Sequence, residues 1–506
     1  MKAVTQIPCL LLAALLVSPA WGEGRDMLPP EAEEQETIIE DDAAVLIEED
    51  GITTAIEIED DAEEAGETDE VILEEDGAVI EEAFPGGEPA DYEDDAQLAD
   101  AGREPRAKSG LSAGIDEAWA EAGYVTDPNA AANTSDYLHV AFSARWDSGG
   151  AWEARLAGRV DGYYQSGSQS PGRTQLDYGE SFIRYRGGDF RITAGTQTII
   201  WGRIDELPPT DRLSVFDLSR FILDDLADRR RAQPAVRLEY FNDAGKLDLV
   251  WLPDFREARL PGRSSIWFPV DRQKGELLGL ESTPASRALV KAGTFTEHAP
   301  DGDGGFGARY SHTASQFDYA LTIQRVRQST PYYEMVSPGR YKARYPRSWV
   351  MGGDLGYEAL GATWRLEGAY LSEIPVTKKD ATYTTTEGIG WAAGVEFYPG
   401  DGDVRVNLQL VGNNLIDAPG IRDRKETYNF NGEVESQFAH NRWRAKTRFF
   451  VGLDKKDIYL NPEVAYIGWE PHEIYLGAHY FDGANGTLGG FHEDHSLLTL
   501  GWRAKF

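Results

Sequence analysis

Four cationic side chains recur at every second position of one short stretch, RWRAKTRF at residues 442–449. They are Arg442, Arg444, Lys446 and Arg448. In an extended strand, residues two apart point to the same side, so this spacing predicts four positive charges on one face. Like charges in such a row repel one another unless anions lie between them. These residues can therefore act electrostatically, by attracting acidic side chains or an anionic solute. Such attraction makes and breaks no covalent bond.

Further cations lie in other stretches where apolar and polar residues alternate. These residues are Arg155, Arg159, Arg365 and Arg405. Acidic residues share the same polar faces, among them Glu153, Asp161, Glu367 and Glu396. Two interpretations stay open, because paired charges can stiffen a wall, whereas an excess of cations lining a pore lowers the barrier for anions. On the second interpretation, the eight cations named so far line a lumen.

A long connection at residues 203–233 supplies another set of arginines. They are Arg203, Arg212, Arg220, Arg229, Arg230 and Arg231. A loop of this length is more often functional than not, and we expect it to fold inward and narrow a lumen. Apolar residues in its middle, residues 214–226, have helical spacing, which predicts a short helix there. Arginines on outward-facing loops could instead contact the anionic surface of lipopolysaccharide.

The elements that would position these residues are strands. From residue 109 onward, stretches of 10–13 residues with alternating polarity are separated by turn signals. Tight connections, such as 148–150 and 283–286, alternate with longer ones, such as 203–233 and 373–387. Outer-membrane barrels have short turns on one rim and long loops on the other, whereas a β-sandwich has no reason to alternate in this way.

The sequence therefore predicts an all-β fold, a transmembrane antiparallel up-and-down β-barrel of 18–20 strands in residues 109–506. An even number of strands requires residues 110–124 to form the first one, although this stretch can also be interpreted as a helix. Composition does not decide between a barrel and a soluble secreted β-protein: hydrophobic residues make up 41% and the mean hydropathy is −0.45. The chain is nevertheless rich in glycine and aromatic residues, with 53 Gly, 23 Tyr, 20 Phe and 13 Trp, as barrels are.

The N-terminal part of the sequence predicts a signal peptide for export, followed by a highly charged segment. Residues 1–22 have the charged start, short apolar core and small-residue end of a signal peptide. Its removal takes away Cys9, the one cysteine, so the mature protein has no disulfide and no thiolate ligand. Residues 23–108 contain 33 acidic and 4 basic residues, a density typical of a mostly disordered, solvated segment. Cation binding, docking of a periplasmic partner and obstruction of a cationic pore are alternative roles for this segment.

Catalytic motifs are missing from the sequence. There is no GxSxG nucleophile motif, no P-loop and no HExxH zinc motif. The eight histidines lie mostly in turns, and HEDH at residues 492–495 is a weak metal motif. We expect neither an enzyme nor a cofactor or metal site.

The C-terminal strand carries the resemblance to a known class. Leu498, Leu500, Trp502 and the terminal Phe506 lie on one face of "HSLLTLGWRAKF". This pattern resembles the C-terminal signal of Gram-negative outer-membrane proteins, which implies recognition by the barrel-assembly machinery. The stretch GTQTIIWGRIDELPPTD at residues 195–211 resembles a poorly characterised family of proteobacterial outer-membrane barrels, and the general architecture is similar to that of alginate-export porins. These resemblances imply a location in the bacterial outer membrane.

The functional prediction is a monomeric outer-membrane channel that passes or exports anionic or amphipathic solutes through an arginine-lined lumen. Loop 203–233 would form its constriction. The alternative is a platform that transports or assembles lipid or polysaccharide with a periplasmic partner bound through residues 23–108. Outer-membrane lipid and lipopolysaccharide are the expected surroundings, and no nucleic-acid partner is expected.

Overall fold

The computed structural model describes residues 109–506, apart from residues 243–244, 315–316 and 401, together with two short strands nearer the N-terminus. These two strands, β1 (Leu46–Glu49) and β2 (Ile52–Ala55), form an antiparallel pair. The predicted signal peptide and the rest of the acidic segment lie outside the described residues.

The barrel is built from strands that follow one another along the chain. The first are β3 (Gly110–Val125), β4 (Ala132–Asp147), β5 (Trp152–Gly167), β6 (Gly172–Tyr178), β7 (Ser181–Gly187) and β8 (Phe190–Gln197). The next connection contains β9 (Val215–Phe216) and β10 (Arg230–Arg231), and leads to β11 (Gln233–Asn242) and β12 (Gly245–Leu252). One long connection then holds β13 (Val270–Asp271), β14 (Glu276–Leu277), helix α1 (Pro284–Lys291) and β15 (Thr294–Thr296).

The second half of the barrel begins with β16 (Gly305–Thr313) and β17 (Phe317–Arg327). The hairpin of β18 (Tyr332–Ser337) and β19 (Arg340–Arg344) precedes β20 (Arg347–Ala359) and β21 (Ala362–Thr377). The last strands are β22 (Tyr383–Phe397), β23 (Val404–Ile416), β24 (Glu426–Phe438), β25 (Trp443–Gly452), β26 (Asp457–Trp469), β27 (His472–Gly483) and β28 (Leu497–Lys505), with helix α2 (Leu488–Phe491) before β28.

Eighteen antiparallel strands close the sheet, which confirms the predicted fold class. β6 and β7 count as one strand, because β5 pairs with β6 along one half of its length and with β7 along the other. β28 pairs with β3 without a break, from Leu497 opposite Val125 to Lys505 opposite Glu117. Residues 110–124 are therefore the first strand and not a helix, and the C-terminal strand shuts the barrel.

Long connections all lie at one rim and short turns at the other, as predicted, with two local differences. Residues 283–286 are not a tight turn between strands but the start of α1. Thr283 caps this helix by accepting a hydrogen bond from the backbone N–H of Ser286, and Pro284 occupies the first turn. Residues 373–387 are not a long loop, because β21 and β22 extend beyond a bulge after Leu371 and leave only residues 378–382 between them.

The outer surface of the barrel is apolar. Leu498, Leu500 and Phe506 are 50%, 58% and 66% exposed, and exposed tryptophans stand near both rims. Only a lipid surrounding makes such exposure favourable over a whole closed sheet, and closure satisfies every backbone group that lipid would leave unpaired. This barrel is therefore a bacterial outer-membrane protein. None of the helices in the described residues is long and apolar enough to cross a membrane.

Candidate functional site: the lumen and its inward loop

The connection from β8 to β11, residues 198–232, lies inside the barrel. Ile199, Trp201 and Leu213 are buried in one apolar cluster with inward-facing residues of the wall, among them Val326 and Val350. The indole N–H of Trp201 donates to Asp248 of β12 at 3.1 Å. The apolar residues of this loop thus pack against the wall on several sides. The predicted helix at residues 214–226 does not form. Phe221 even has a φ of 56°, in the left-handed region.

The first limb of the loop is anchored by two buried carboxylates of the wall. Glu367 of β21 accepts hydrogen bonds from the backbone N–H groups of Arg203 and Thr210, at 2.8 and 2.7 Å, and from the Thr210 hydroxyl at 2.8 Å. Asp354 of β20 accepts from Nε of Arg203 at 2.6 Å. Hydrogen bonds to a charged acceptor are among the stronger ones in proteins, so this limb is fixed against the wall.

The tip of the loop reaches the opposite wall at β25. Arg448 donates to the backbone carbonyls of Ile222, Leu223 and Asp224 at 3.0, 2.9 and 2.8 Å. Its guanidinium also lies 2.9 Å from Asp225, and Nζ of Lys446 lies 3.1 Å from the same carboxylate. These two predicted lumen cations therefore hold the loop in place across the barrel.

The tip also contributes an arginine of its own, Arg220, which packs on the inner face of the wall near the pairing of β3 with β28. Arg220 bonds to Glu121 of β3 and lies 3.1 Å from Asp224. Its guanidinium stands over the rings of Trp119 and Tyr137, 4.6 and 4.3 Å from their centroids. Cation–π contacts of a desolvated guanidinium stabilise a structure more than exposed ones do. The loop is thus tied to the first strands as well as to β25.

Two neighbouring carboxyl groups at the tip differ in their ionisation. Burial raises the pKa of Asp224 to about 6, because Arg220 offsets only part of the cost of desolvation. Burial also acts on Asp225, but Lys446 and Arg448 outweigh it and hold the pKa of that carboxyl well below its usual range. Asp225 is therefore the fixed anion of the tip at neutral pH.

The three consecutive arginines at the end of the loop each hold a different carboxylate. Arg229 lies 2.7 Å from Glu206, and Arg231 lies 2.9 Å from Asp177. Arg230 pairs with Asp211. These arginines therefore link the returning limb of the loop to its start and to the wall at β6.

Most of the predicted wall cations have acidic partners inside the barrel. Arg159 pairs with Asp161 at 2.7 Å, Arg365 with Glu396 at 2.8 Å and Arg444 with Glu473 at 2.6 Å. Arg405 bridges Glu396 and Glu433 at 3.0 Å each, and Arg155 lies 3.5 Å from Asp116. The inner face of the barrel therefore carries a network of paired positive and negative side chains.

Arg442 differs from the prediction because it does not lie on a strand. β25 begins at Trp443, and Arg442 is an exposed residue of the preceding turn. Ala439, His440 and Asn441 of that turn all have positive φ. This left-handed run lengthens the turn, so the alternation that the sequence suggests starts one position later.

Arg212 differs from the other five arginines of the loop. Among the described residues, no carboxylate lies within 4 Å of its guanidinium. Its Nε donates to the carbonyl of Pro209 at 3.0 Å. The side chain is exposed, although its neighbours Thr210, Asp211 and Leu213 are buried inside the barrel. The water around this guanidinium is therefore water of the lumen.

Sequence reasoning missed the carboxylates and aromatic residues that hold the loop. Glu121, Asp225, Trp119 and Tyr137 were not among the candidate residues, because their partners lie far away along the chain. One signal was available in the sequence. Glu117 and Glu121 lie on one face of β3, and their charge is complementary to that of the arginine-rich loop.

The motif HEDH holds a buried pair in which Nδ1 of His492 and Nδ1 of His495 are 2.9 Å apart. No group of three His, Asp or Glu side chains able to hold a metal ion occurs in the described part of the chain.

Comparison with known proteins gives matches among solved structures alone. No family model matches the chain, and no curated protein matches it. OccAB1 of Acinetobacter baumannii is 9% identical with a TM-score of 0.49, over 80% of this chain and 99% of that one. OccK7 (OpdD) of Pseudomonas aeruginosa is 12% identical with a TM-score of 0.45, over 79% and 99%. Salmonella typhi OmpF, in a complex with daunomycin, is 9% identical with a TM-score of 0.41, over 79% and 98%.

These similarities are of porin-like barrel architecture. The assignment of this chain to the outer membrane rests on its own closed sheet and apolar outer face. The resemblance of residues 195–211 to a particular family stays a prediction.

Proposed function

We propose that this protein is an outer-membrane channel that passes or exports anionic or amphipathic solutes, with loop 198–232 as its constriction. The observation that carries the proposal is Arg212, an exposed guanidinium that has no ion pair with any described residue and lies on a loop that crosses the interior. Cations at a constriction favour the entry of anions, because field lines concentrate in a narrow, low-dielectric passage. The paired charges of the wall contribute less, since each cation there is largely neutralised by its partner.

The proposal is tested by the reversal potential of the purified full-length protein in a planar bilayer under a salt gradient. We expect a potential of the sign that indicates anion preference. A cation-selective channel, or a barrel that does not conduct, would overturn the proposal.

The alternative, a platform for lipid or polysaccharide transport, requires a way out through the side of the barrel. A lateral opening between the first and last strands would have to break the continuous pairing of β28 with β3. The expected partners, which are the barrel-assembly machinery, lipopolysaccharide and a periplasmic protein, stay predictions, as does the monomeric state. Lipid-transport proteins that co-purify in stoichiometric amounts would favour the alternative.

The acidic segment predicts a salt-dependent effect on conductance. Residues 23–108 carry a net charge of −29 and are joined in the sequence to β3, so we expect their effective concentration at the periplasmic mouth to be high. We expect deletion of residues 23–108 to raise single-channel conductance at low salt, with a smaller effect at high salt because of screening. A variant with a neutral Gly/Ser segment of equal length is the matched control and should behave like the deletion. Unchanged conductance at low salt would instead favour docking of a partner.

A further inference from the structure

The outer wall of the barrel carries three arginines in a position where lipid is expected. Arg325 and Arg327 lie on the lipid-facing side of β17, in phase with the exposed Leu321 and Ile323. Arg347 is directly opposite Arg327 in the β17–β20 pair, and therefore points to the same face. Like charges directly opposite one another destabilise a sheet unless an anion lies between them.

Acidic side chains neutralise this cluster only in part. Arg347 bonds to Asp303 at 2.8 Å, and Arg325 lies 3.6 Å from Glu373. Arg327 donates to the carbonyl of Tyr345 at 3.1 Å, which brings no negative charge. Within the part of the chain that the structure describes, three cations thus face two carboxylates.

Each of these arginines also keeps a hydrogen-bond donor unused. NH1 of Arg325, Nε of Arg327 and Nε of Arg347 are buried and have no hydrogen-bond partner among the described residues. Buried N–H groups of a charged side chain are costly to leave unsatisfied. The three side chains are neighbours on one face, because Arg327 follows Arg325 by two positions and is paired with Arg347. Arg325 and Arg347 keep 24% and 28% of their side chains exposed, so a multivalent oxygen anion at this surface reaches the cluster.

The height of the cluster identifies the leaflet. Three residues separate β16 from β17, and β17 ends at Arg327, where the long connection 328–346 starts. The long connections of an outer-membrane barrel face the outside. The three arginines therefore lie at the level of the outer leaflet, where headgroups meet the hydrocarbon region.

An apolar groove continues from the arginines toward the membrane centre. Trp251, Phe306, Arg325 and Trp349 form one row of directly paired residues across four strands. The groove around this row has a volume of about 490 Å³. Its lining includes Val236, Leu249, Trp251, Phe306, Ile323 and Trp349. A hydrocarbon chain fits such a surface, and the cations lie directly above it.

We propose that this patch, formed by Arg325, Arg327, Arg347 and the groove below them, binds a phosphorylated, acylated glycolipid of the outer leaflet, the chemistry of lipopolysaccharide. A phosphate accepts hydrogen bonds from the exposed parts of these guanidinium groups and supplies the negative charge that the cluster lacks. An acyl chain of the same molecule fills the groove. The site is independent of the lumen and of what passes through it.

The test measures binding of bisphosphorylated lipid A to the purified full-length protein in detergent. The Arg327→Gln/Arg347→Gln variant should bind the lipid at least tenfold more weakly than the unaltered protein. The matched control is Arg263→Gln, which removes an extracellular arginine that is 63% exposed and lies 3.4 Å from Glu297, and it should bind as the unaltered protein does. Heat-modifiable migration and unchanged conductance show that the variants are folded.

Two further probes separate the sources of affinity. The same lipid without its phosphates should bind weakly to both proteins, and inorganic phosphate alone should not compete at concentrations far above that of the lipid. Equal binding of the double variant, equal binding of the dephosphorylated lipid, or competition by inorganic phosphate would each overturn the proposal. If the double variant does not fold, Arg325→Gln is measured in its place, with at least a threefold loss expected.

Discussion

Replacement of Arg448 by alanine should release the tip of loop 198–232 and increase the conductance of the channel severalfold. This guanidinium is 5% exposed and binds three backbone carbonyls as well as Asp225. Its removal leaves three carbonyls of the tip without this donor, and leaves Asp225, whose side chain is 38% exposed, with Lys446 as its ion-pair partner among the described residues. Lys446 and the pair of Arg220 with Glu121 still hold neighbouring parts of the tip, but residues 222–224 lose their donor, so we expect this part of the tip to leave β25.

Single-channel conductance in a planar bilayer measures this effect directly. Arg442→Ala is the matched control, because Arg442 comes from the same stretch of sequence but is exposed in a turn, and it should leave conductance unchanged. Faster proteolysis within residues 214–228 of the Arg448→Ala protein would be a second sign of release. A folded Arg448→Ala barrel with unaltered conductance would show that the tip does not limit the passage.

Reversal of the charge at Arg212 should shift the cation/anion permeability ratio toward cations by about a hundredfold. A monovalent ion that passes about 6 Å from this side chain in water gains or loses about 0.7 kcal/mol from one unit charge. Replacement of Arg212 by glutamate changes the charge by two units, which stabilises a passing cation by about 1.4 kcal/mol and destabilises a passing anion by about the same amount. Each change is about a factor of ten, so the cation/anion permeability ratio changes by about a hundredfold. The shift should shrink at high salt, since screening lengths fall as ionic strength rises.

Reversal potentials of Arg212→Glu and Arg212→Lys make the comparison. The lysine variant keeps the charge and should retain the selectivity of the unaltered protein, whereas Arg263→Glu reverses a charge on an extracellular loop and should have little effect. If Arg212→Glu keeps the same reversal potential, the ion path does not pass this side chain, and selectivity must be assigned to the wall.

The sequence was sufficient for the architecture because strand alternation and rim asymmetry are local properties. The alternation of apolar and polar residues within each strand identifies its lipid-facing side, and turn residues mark the ends of the strand. The first strand was doubtful on its own, since residues 110–124 also fit a helix, and the closing partner β28 decides the matter. Residues 283–286 were misassigned because Thr-Pro-Ala-Ser serves equally well as a turn and as the start of a capped helix.

The candidate site was less accessible to sequence reasoning. The alternation at residues 444–448 correctly indicates that these side chains share one face, and acidic partners were expected. Which carboxylates those partners are depends on loop 198–232 crossing the lumen, and nothing local encodes that contact. Arg448 and Asp225 are more than two hundred positions apart, so the pairing depends on closure of the whole barrel.

The same contacts constrain the order of events during assembly. Loop 198–232 is synthesised after β8, yet it is held by Arg448 and Lys446 of β25, and by Glu121 of β3 beside the seam that β28 closes. The loop can reach its final position only after the last four strands, β25 to β28, have joined the sheet. An unfinished barrel is therefore a wide, open one, whose loop charges still face water, and its interior becomes narrow in the final step. Completion of the wall and the placement of the loop inside it are thus one and the same event for this chain.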